Sequence, residues 1–271
     1  MRIAVCVKND LFGAIVLNRV VPRLVAAGGH QLAVFMSVRD RVELDDNVPE
    51  LDLMRLVERQ IPLNVLFPLL DASNMPRQMA TPHQVAATTA RPLTLVHDMT
   101  RQGGVADIEA FTPDLILSVR FSYLFKRSTI ATATAGIINV HPGPLPGYRG
   151  LYAPFWQMIR GHDTLRCTVH LVDDGIDTGP VLSIEDVTLV PGRSMLWHAT
   201  QLYLAGADRA VDYILNGLPH PQPQDPALAG SNAFPTAQDF ARFGAKGFSL
   251  VRGGDYQSLL LPFTTPASQP A

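Results

Sequence analysis

The sequence predicts an α/β fold: a mostly parallel sheet with helices on both faces, ending in a small C-terminal appendage. Three observations carry this. Through the first two-thirds of the chain, short β-branched runs alternate with longer stretches of helical periodicity, the pattern of strand–helix–strand units. Runs such as Ile3–Val7 and Asp114–Val119 are apolar at nearly every position, as strands covered on both faces must be. Beyond Gly217 the composition changes: four prolines fall in the nine residues Leu218–Pro226, a density that neither a helix nor an inner strand accepts. On this reading residues 1–217 form a catalytic domain, and residues 218–271 form the appendage, with a Pro-rich linker and a frayed end.

The elements follow in order. Ile3–Val7 is the first strand, and residues 12–27 keep apolar positions at helical spacing until Gly28-Gly29 closes the helix. Leu32–Met36 is a second strand. Residues 50–60 place Leu51, Met54, Leu56 and Val57 at a helical period, and the short run Asn64–Phe67 reads as a third strand. Thr81-Pro82 opens a helix to about residue 90, and Leu93–Val96 is a strand. A short helix over 105–111 leads to the apolar strand Asp114–Val119, a helix over 124–133 and the strand Gly136–Val140. After a Pro/Gly-rich segment, His141–Gly150, come a helix over 152–160 and two strands, Arg166–Val172 and Val181–Val190, joined as an antiparallel pair. A helix runs from Ser194 to about Leu215. Thr236-Ala-Gln-Asp239 is a capping-box pattern that opens a short helix with Phe240 and Phe243 on its apolar face.

Composition narrows the function. The chain has 271 residues, with 22 Lys and Arg against 24 Asp and Glu, so no field for a polyanion is built in. No apolar stretch approaches the ~18 residues of a membrane helix, and the N-terminal run is broken too early by Lys8 for a signal peptide. Cys6 and Cys167 both lie in strand-like runs and read as buried, reduced thiols, which together with the missing leader points to the cytoplasm. There is no G-x-G-x-x-G after the first strand, no Walker-type phosphate loop and no nucleophile elbow. Asp173, Asp174 and Asp177 do not match calcium-loop spacing and read as turn formers, so no metal is expected.

The chemistry concentrates in two stretches. Asn139 and His141 stand two apart at the end of an apolar strand, so both side chains emerge on one face where open α/β sheets bind ligands. Three prolines and three glycines in Pro142–Gly150 hold the following chain in a stiff, turning path beside them. The second stretch, Thr168–Pro180, ends a strand in an acidic turn and carries Asp177. An amide, an imidazole and a carboxylate together suit acyl transfer to an amine. Imidazole moves protons near neutrality, a carboxylate beside it favours and orients the imidazolium, and an amide N–H donates to a developing oxyanion, an effect worth about 3–4 kcal/mol elsewhere. A lone strand-end histidine is more often structural, and His170, in the middle of an apolar run, is read that way.

The string Asn139-x-His-Pro-x-x-Leu-Pro-x-Tyr-Arg-Gly150, with Thr168-Val-His170 and Asp174-Gly-Ile-Asp-Thr-Gly-Pro180, resembles the folate-dependent formyltransferase family over roughly residues 110–192. The resemblance implies a Rossmann-like fold, 10-formyltetrahydrofolate as formyl donor, and Asn139, His141 and Asp177 as the catalytic triad. It also implies that Phe121, Ser122, Tyr123 and Leu124 form one wall of the folate site and that Val172 and Asp174 belong to the other, with backbone groups meeting the pterin edge. The acceptor is read by elimination within the family. The turn after the first strand, Lys8–Phe12, lacks the phosphate loop of glycinamide ribonucleotide enzymes, and net charge −2 with only about 55 residues after Gly217 argues against a tRNA partner. The tail Phe234–Gly244 is similar to C-terminal segments of free-standing formyltransferases that act on nucleotide-linked amino sugars. A small-molecule amine of that kind is the expected acceptor, with a hydroxyornithine-type amine or hydrolysis of the donor as alternatives. Tyr148, Arg149, Tyr152 and Trp156, just after the catalytic strand, are the candidates for gripping it, and the tail is a plausible homodimer surface.

Overall fold

The computed structural model describes residues 1–38, 48–73, 75–98 and 104–267. In chain order the elements are β1 (Arg2–Lys8), α1 (Leu11–Ala27), β2 (Gln31–Ser37), α2 (Pro49–Arg55), α3 (Phe67–Ser73), α4 (Pro82–Ala86), β3 (Thr94–Val96), α5 (Gly104–Ala110), β4 (Leu115–Val119), α6 (Arg127–Thr132), β5 (Ile137–His141), β6 (Arg149–Gly150), α7 (Ala153–Ile159), β7 (Thr164–Leu171), β8 (Val181–Thr188), α8 (Met195–Asn216), β9 (Ser231–Asn232), α9 (Ala237–Ala245) and α10 (Gly253–Thr264). The main sheet runs β3-β2-β1-β4-β5-β7-β8. Its first five strands are parallel, and β7 and β8 are antiparallel, as the sequence predicts.

Alternation within each strand feeds two cores. Ile3, Val5 and Val7 of β1 join the larger cluster with Leu117 of β4, Val140 of β5 and the inner faces of α1 and α8. Ala4 and Cys6 point the other way, into a second cluster with Phe35, Phe111, Ile116 and Ile137. Both cysteines are buried free thiols, and burial pushes the Cys167 thiol up to about 12. The long helices start and stop where their caps dictate. Asp10 accepts from Gly13 N at the start of α1, Ser194 accepts from Trp197 N at the start of α8, and Gly217, at φ 97°, ends α8. Under β5 the fit is tight: a Cβ on Gly206 of α8 would lie 2.4 Å from Val140 Cγ1 and 3.2 Å from Cys167 Sγ. Only glycine lets α8 settle against the strand that carries Asn139 and His141.

Several expectations change. The run Asn64–Phe67 is not a strand: it lies in a π-helical turn, Pro62–Leu66, that continues into α3. A second π-helical turn, Leu56–Gln60, joins α2 to it. Pro62 has no N–H to donate, and a short apolar run cannot by itself separate strand from helix. The helix opened by Thr81 has its capping box but covers only Pro82–Ala86, and the helix expected over 124–133 is confined to Arg127–Thr132. Of the last ten residues, 262–264 finish α10, where Phe263 is fully buried against Phe67 at 5.3 Å between ring centroids, and Arg77 bridges Pro266. Residues 268–271 lie outside the described residues.

The segment after Gly217 is bound closely to the site. Val181 and Gln222 exchange backbone hydrogen bonds of 2.8 Å, so the proline-rich stretch lies along β8. Then β9 pairs with β6 just beyond the catalytic strand, and Phe243 of α9 stacks on Phe155 of α7 at 4.6 Å.

Candidate active site

Strand β5 delivers Asn139 and His141 to the carboxyl edge of the sheet, and β7 pairs with it antiparallel in the register Asn139↔His170 and His141↔Thr168. The turn after β7 returns Asp177 to the same place. His141 Nδ1 lies 3.4 Å from Asp177 Oδ2, and His141 Nε2 lies 2.7 Å from the Tyr148 carbonyl. Both ring nitrogens thus face acceptors, and a ring that carries both protons satisfies both. Asp177 Oδ2 also accepts from Gly150 N at 3.0 Å. Asn139, His141 and Asp177, brought together by sequence reasoning, stand together in the structure.

The fourth member is one that sequence reasoning assigned to structure. His170 Nε2 lies 3.0 Å from Asn139 Nδ2 and 3.9 Å from Asp177 Oδ1, while its Nδ1 lies 2.8 Å from the Leu171 carbonyl. The Leu171 carbonyl accepts, so Nδ1 carries the proton and Nε2 is free to accept from the Asn139 amide. Burial, then the charge on His141, pushes His170 down to about 4, against a weaker upward pull from Asp177. A neutral His170 therefore fixes which way the Asn139 amide points. An amide has two N–H groups, and one ring nitrogen takes only one of them. What identifies it is the antiparallel β5/β7 register, which puts His170 directly across from Asn139 and which the local sequence does not reveal.

Buried side chains hold the Pro142–Pro146 loop that follows His141. Thr168 Oγ1 donates to the Gly143 carbonyl at 2.7 Å and accepts from Leu145 N at 3.0 Å, and Gln157 Nε2 donates to the Pro142 carbonyl at 3.0 Å. Gly143 sits where a Cβ would lie 2.7 Å from Ala153 Cβ and 3.1 Å from His141 Nε2. On the opposite side Asp177 takes a left-handed φ of 54°, costly for a residue other than glycine. Gln224, from the proline-rich stretch, holds it there by donating to the Asp177 carbonyl at 2.9 Å and to that of Gly179 at 2.7 Å.

Asn139, His141, Pro142, Gly150 and Asp177 line a cavity of about 340 Å³ that runs along the carboxyl ends of β1, β4 and β5. It includes the crevice between β1 and β4, where the strand order reverses and open α/β sheets bind ligands. Of the expected folate wall, Phe121, Ser122 and Leu124 line the cavity. Tyr123, Val172 and Asp174 are not among its lining residues. The Tyr123 hydroxyl donates to the His97 carbonyl, Val172 N donates to the Ile137 carbonyl at 2.8 Å, and Asp174 pairs with Arg127 at 2.7 Å. Of the four expected acceptor contacts only Tyr152 lines the cavity, and it packs on Phe234 at 5.2 Å. The other three are engaged elsewhere. The Tyr148 hydroxyl meets His162 at 2.6 Å, Arg149 donates to Gln224 at 2.7 Å, and Trp156 Nε1 donates to the Ala233 carbonyl at 3.0 Å. The last two tie the chain beyond Gly217 to the site.

At the β1/β4 crevice the cavity meets an ionic network that the sequence did not disclose. Arg120 follows β4 in a left-handed conformation (φ 58°). Its Nη2 donates to Asp10 Oδ2 at 2.7 Å and to Glu58 Oε2 at 2.8 Å, and its guanidinium lies 4.5 Å over the Phe12 ring. Burial opposes the charge on Arg120, but Asp10 and Glu58 outweigh it and hold the group protonated. Burial pushes the Glu58 carboxyl up, against the pull of Arg120 and Lys8, and pushes the Lys8 ammonium down.

The chain is similar to several known proteins. A family model described as "Formyl transferase" matches residues 73–201. The methionyl-tRNA formyltransferase of Roseiflexus sp. (strain RS-1) is 29% identical over 165 residues, covering 59% of this chain and 51% of its own length. The chain therefore spans about half the length of the curated relatives it matches. A sugar N-formyltransferase from Shewanella sp FDAARGOS_354 superposes with TM-score 0.54 and 15% identity, over 89% of this chain and 86% of the other. WlaRD, a sugar 3N-formyl transferase solved in the presence of dTDP and 5-N-formyl-THF, superposes with TM-score 0.52 and 12% identity, over 86% and 69%. At these identities the superpositions speak for the fold.

Proposed function

We infer the activity from one premise: over residues 73–201 the chain belongs to the formyl transferase family. The reaction is transfer of a formyl group from a formyl-tetrahydrofolate donor to an amine. One observation carries the reading for this chain, the convergence of Asn139, His141 and Asp177 on one cavity at the carboxyl end of β5. The cavity also suits a folate: Leu124 and Ile176, on its lining, are 64% and 56% exposed, apolar surface for a ring system. Phe121, Ser122 and Leu124 would hold the donor, which supplies a formyl carbon activated on nitrogen.

The chain's own groups then do three things. Asn139, oriented by His170, offers its remaining N–H to the charge that develops on the formyl oxygen. His141 adds a positive charge beside it, and the Asp177 carboxylate, at 3.4 Å, supports that charge. Asp177 and His141 together move the proton from the attacking amine toward the departing nitrogen, directly or through water.

The acceptor we propose is a small-molecule primary amine, most closely a nucleotide-linked amino sugar. Supporting this, the Phe234–Gly244 segment that resembles such enzymes reaches the cavity through Phe234. A panel assay tests both levels. The protein is mixed with 10-formyltetrahydrofolate and, separately, a nucleotide-linked amino sugar, N5-hydroxyornithine, methionyl-tRNA or no amine, and tetrahydrofolate release is followed. Release that depends on the amino sugar supports the proposal. Release with another amine reassigns the acceptor, and release without any amine identifies a hydrolase.

A further inference from the structure

Glu58 has no part in the chemistry above, yet it is built into the reaction cavity. The π-helical turn Leu56–Gln60 is the local irregularity that presents it, and such turns concentrate at functional sites. Its side chain is 13% exposed, and one oxygen, Oε2, accepts from Arg120 at 2.8 Å. The other oxygen, Oε1, makes no hydrogen bond among the described residues. The arrangement is anchored on three sides. Asp10, the cap of α1, holds Arg120, Arg120 holds Glu58, and Phe12 covers the guanidinium. Phe12, Tyr152, Tyr203 and Met195 line the same cavity, so the Glu58 carboxylate opens into a space with apolar and aromatic surface.

We propose that Glu58 reads the acceptor: its Oε1 accepts a hydrogen bond from a second donor group of the amine, either a hydroxyl or a second ammonium. This rests on the formyl-transfer reading above. An acceptor oxygen that a bound amine covers without pairing costs more than the right amine gains, so one such atom discriminates strongly between amines of similar size. A sugar supplies a ring hydroxyl, and a diamino acid supplies its α-ammonium.

Two variants separate these sources. Glu58→Met keeps the volume and removes the acceptor. Glu58→Gln keeps an acceptor oxygen and removes the charge. The probes are a nucleoside-diphosphate-linked aminodeoxyhexose and N5-hydroxy-L-ornithine, with KM measured for each amine and for 10-formyltetrahydrofolate. Glu58→Met is expected to raise the amine KM at least about tenfold while the donor KM stays within about twofold. If Glu58→Gln then behaves like the wild type, the donor group is a hydroxyl; if it behaves like Glu58→Met, it is an ammonium. Should Glu58→Met melt early, Glu58→Asp, which withdraws the carboxylate by one methylene, is expected to give the same KM shift. An unchanged amine KM in a folded variant overturns the proposal and leaves the formyl-transfer reading standing. If the wild type shows no amine-dependent turnover, both fall.

Discussion

Removing the His170 ring is a direct probe of how the site is held. In the structure this ring accepts from Asn139 Nδ2 at 3.0 Å and donates to the Leu171 carbonyl at 2.8 Å. His170→Ala deletes both bonds and leaves the Asn139 amide free to turn. An unmade buried hydrogen bond costs about 1–3 kcal/mol. If that cost falls on the transition state, where the other amide N–H is needed, kcat drops by about 5- to 150-fold. The donor KM should move little, because His170 does not line the cavity. His170→Gln restores an acceptor near the Nε2 position and should recover part of the loss. Single-turnover formyl transfer with saturating donor measures this, and melting temperature controls for global damage. If folded His170→Ala kept kcat within about twofold of wild type, the orientation of Asn139 would owe nothing to His170.

Other predictions follow from the same contacts. Gln224→Ala removes both donors that hold the backbone at Asp177 and Gly179, and should lower kcat about tenfold with a small change in donor KM. Gly143→Ala forces a methyl to within 3.1 Å of His141 Nε2 and 2.7 Å of Ala153 Cβ; kcat should fall at least tenfold, roughly, while circular dichroism stays native. His170 also makes stability depend on pH. Folding lowers its pKa from 6.5 to about 4, so within that window the unfolded chain binds a proton that the folded chain does not. Stability from this group is complete above about 6.5 and declines as pH falls toward 4, with His141 and Asp177 as its charged neighbours. Urea melts of wild type and His170→Gln at pH 7 and 5 check this: the variant should lose less stability between them.

The parallel sheet was legible because its strands are buried on both faces, and β-branched runs such as Ile3–Val7 have few other uses. Asn139 and His141 were legible because period-2 alternation at a strand end needs no tertiary information. His170 was not, since its role depends on the β5/β7 register rather than on its local sequence. Tyr148, Arg149 and Trp156 misled for a related reason. Their spacing places them near the site, but the polar atoms of Arg149 and Trp156 are taken by the chain beyond Gly217, more than sixty residues away in sequence, and the Tyr148 hydroxyl is taken by His162. The 49–73 segment, which carries Glu58, was hidden by its π-helical turns, which shift the periodicity on which an inward-facing residue is recognised.

The prolines near the site have structural uses. Pro142, Pro144 and Pro146 belong to the loop gripped by Thr168 and Gln157, while the stretch from 219 to 226 carries Gln224 to the back of the Asp177 turn.

The central claim is that Asn139, His141 and Asp177 move a formyl group from a folate to an amine. The most direct measurement is amine-dependent release of tetrahydrofolate by wild type, His141→Ala and Asp177→Asn under identical conditions. The account predicts turnover for the wild type and losses of at least about a hundredfold for both variants, with donor binding retained. Near-full rates in both variants would contradict it.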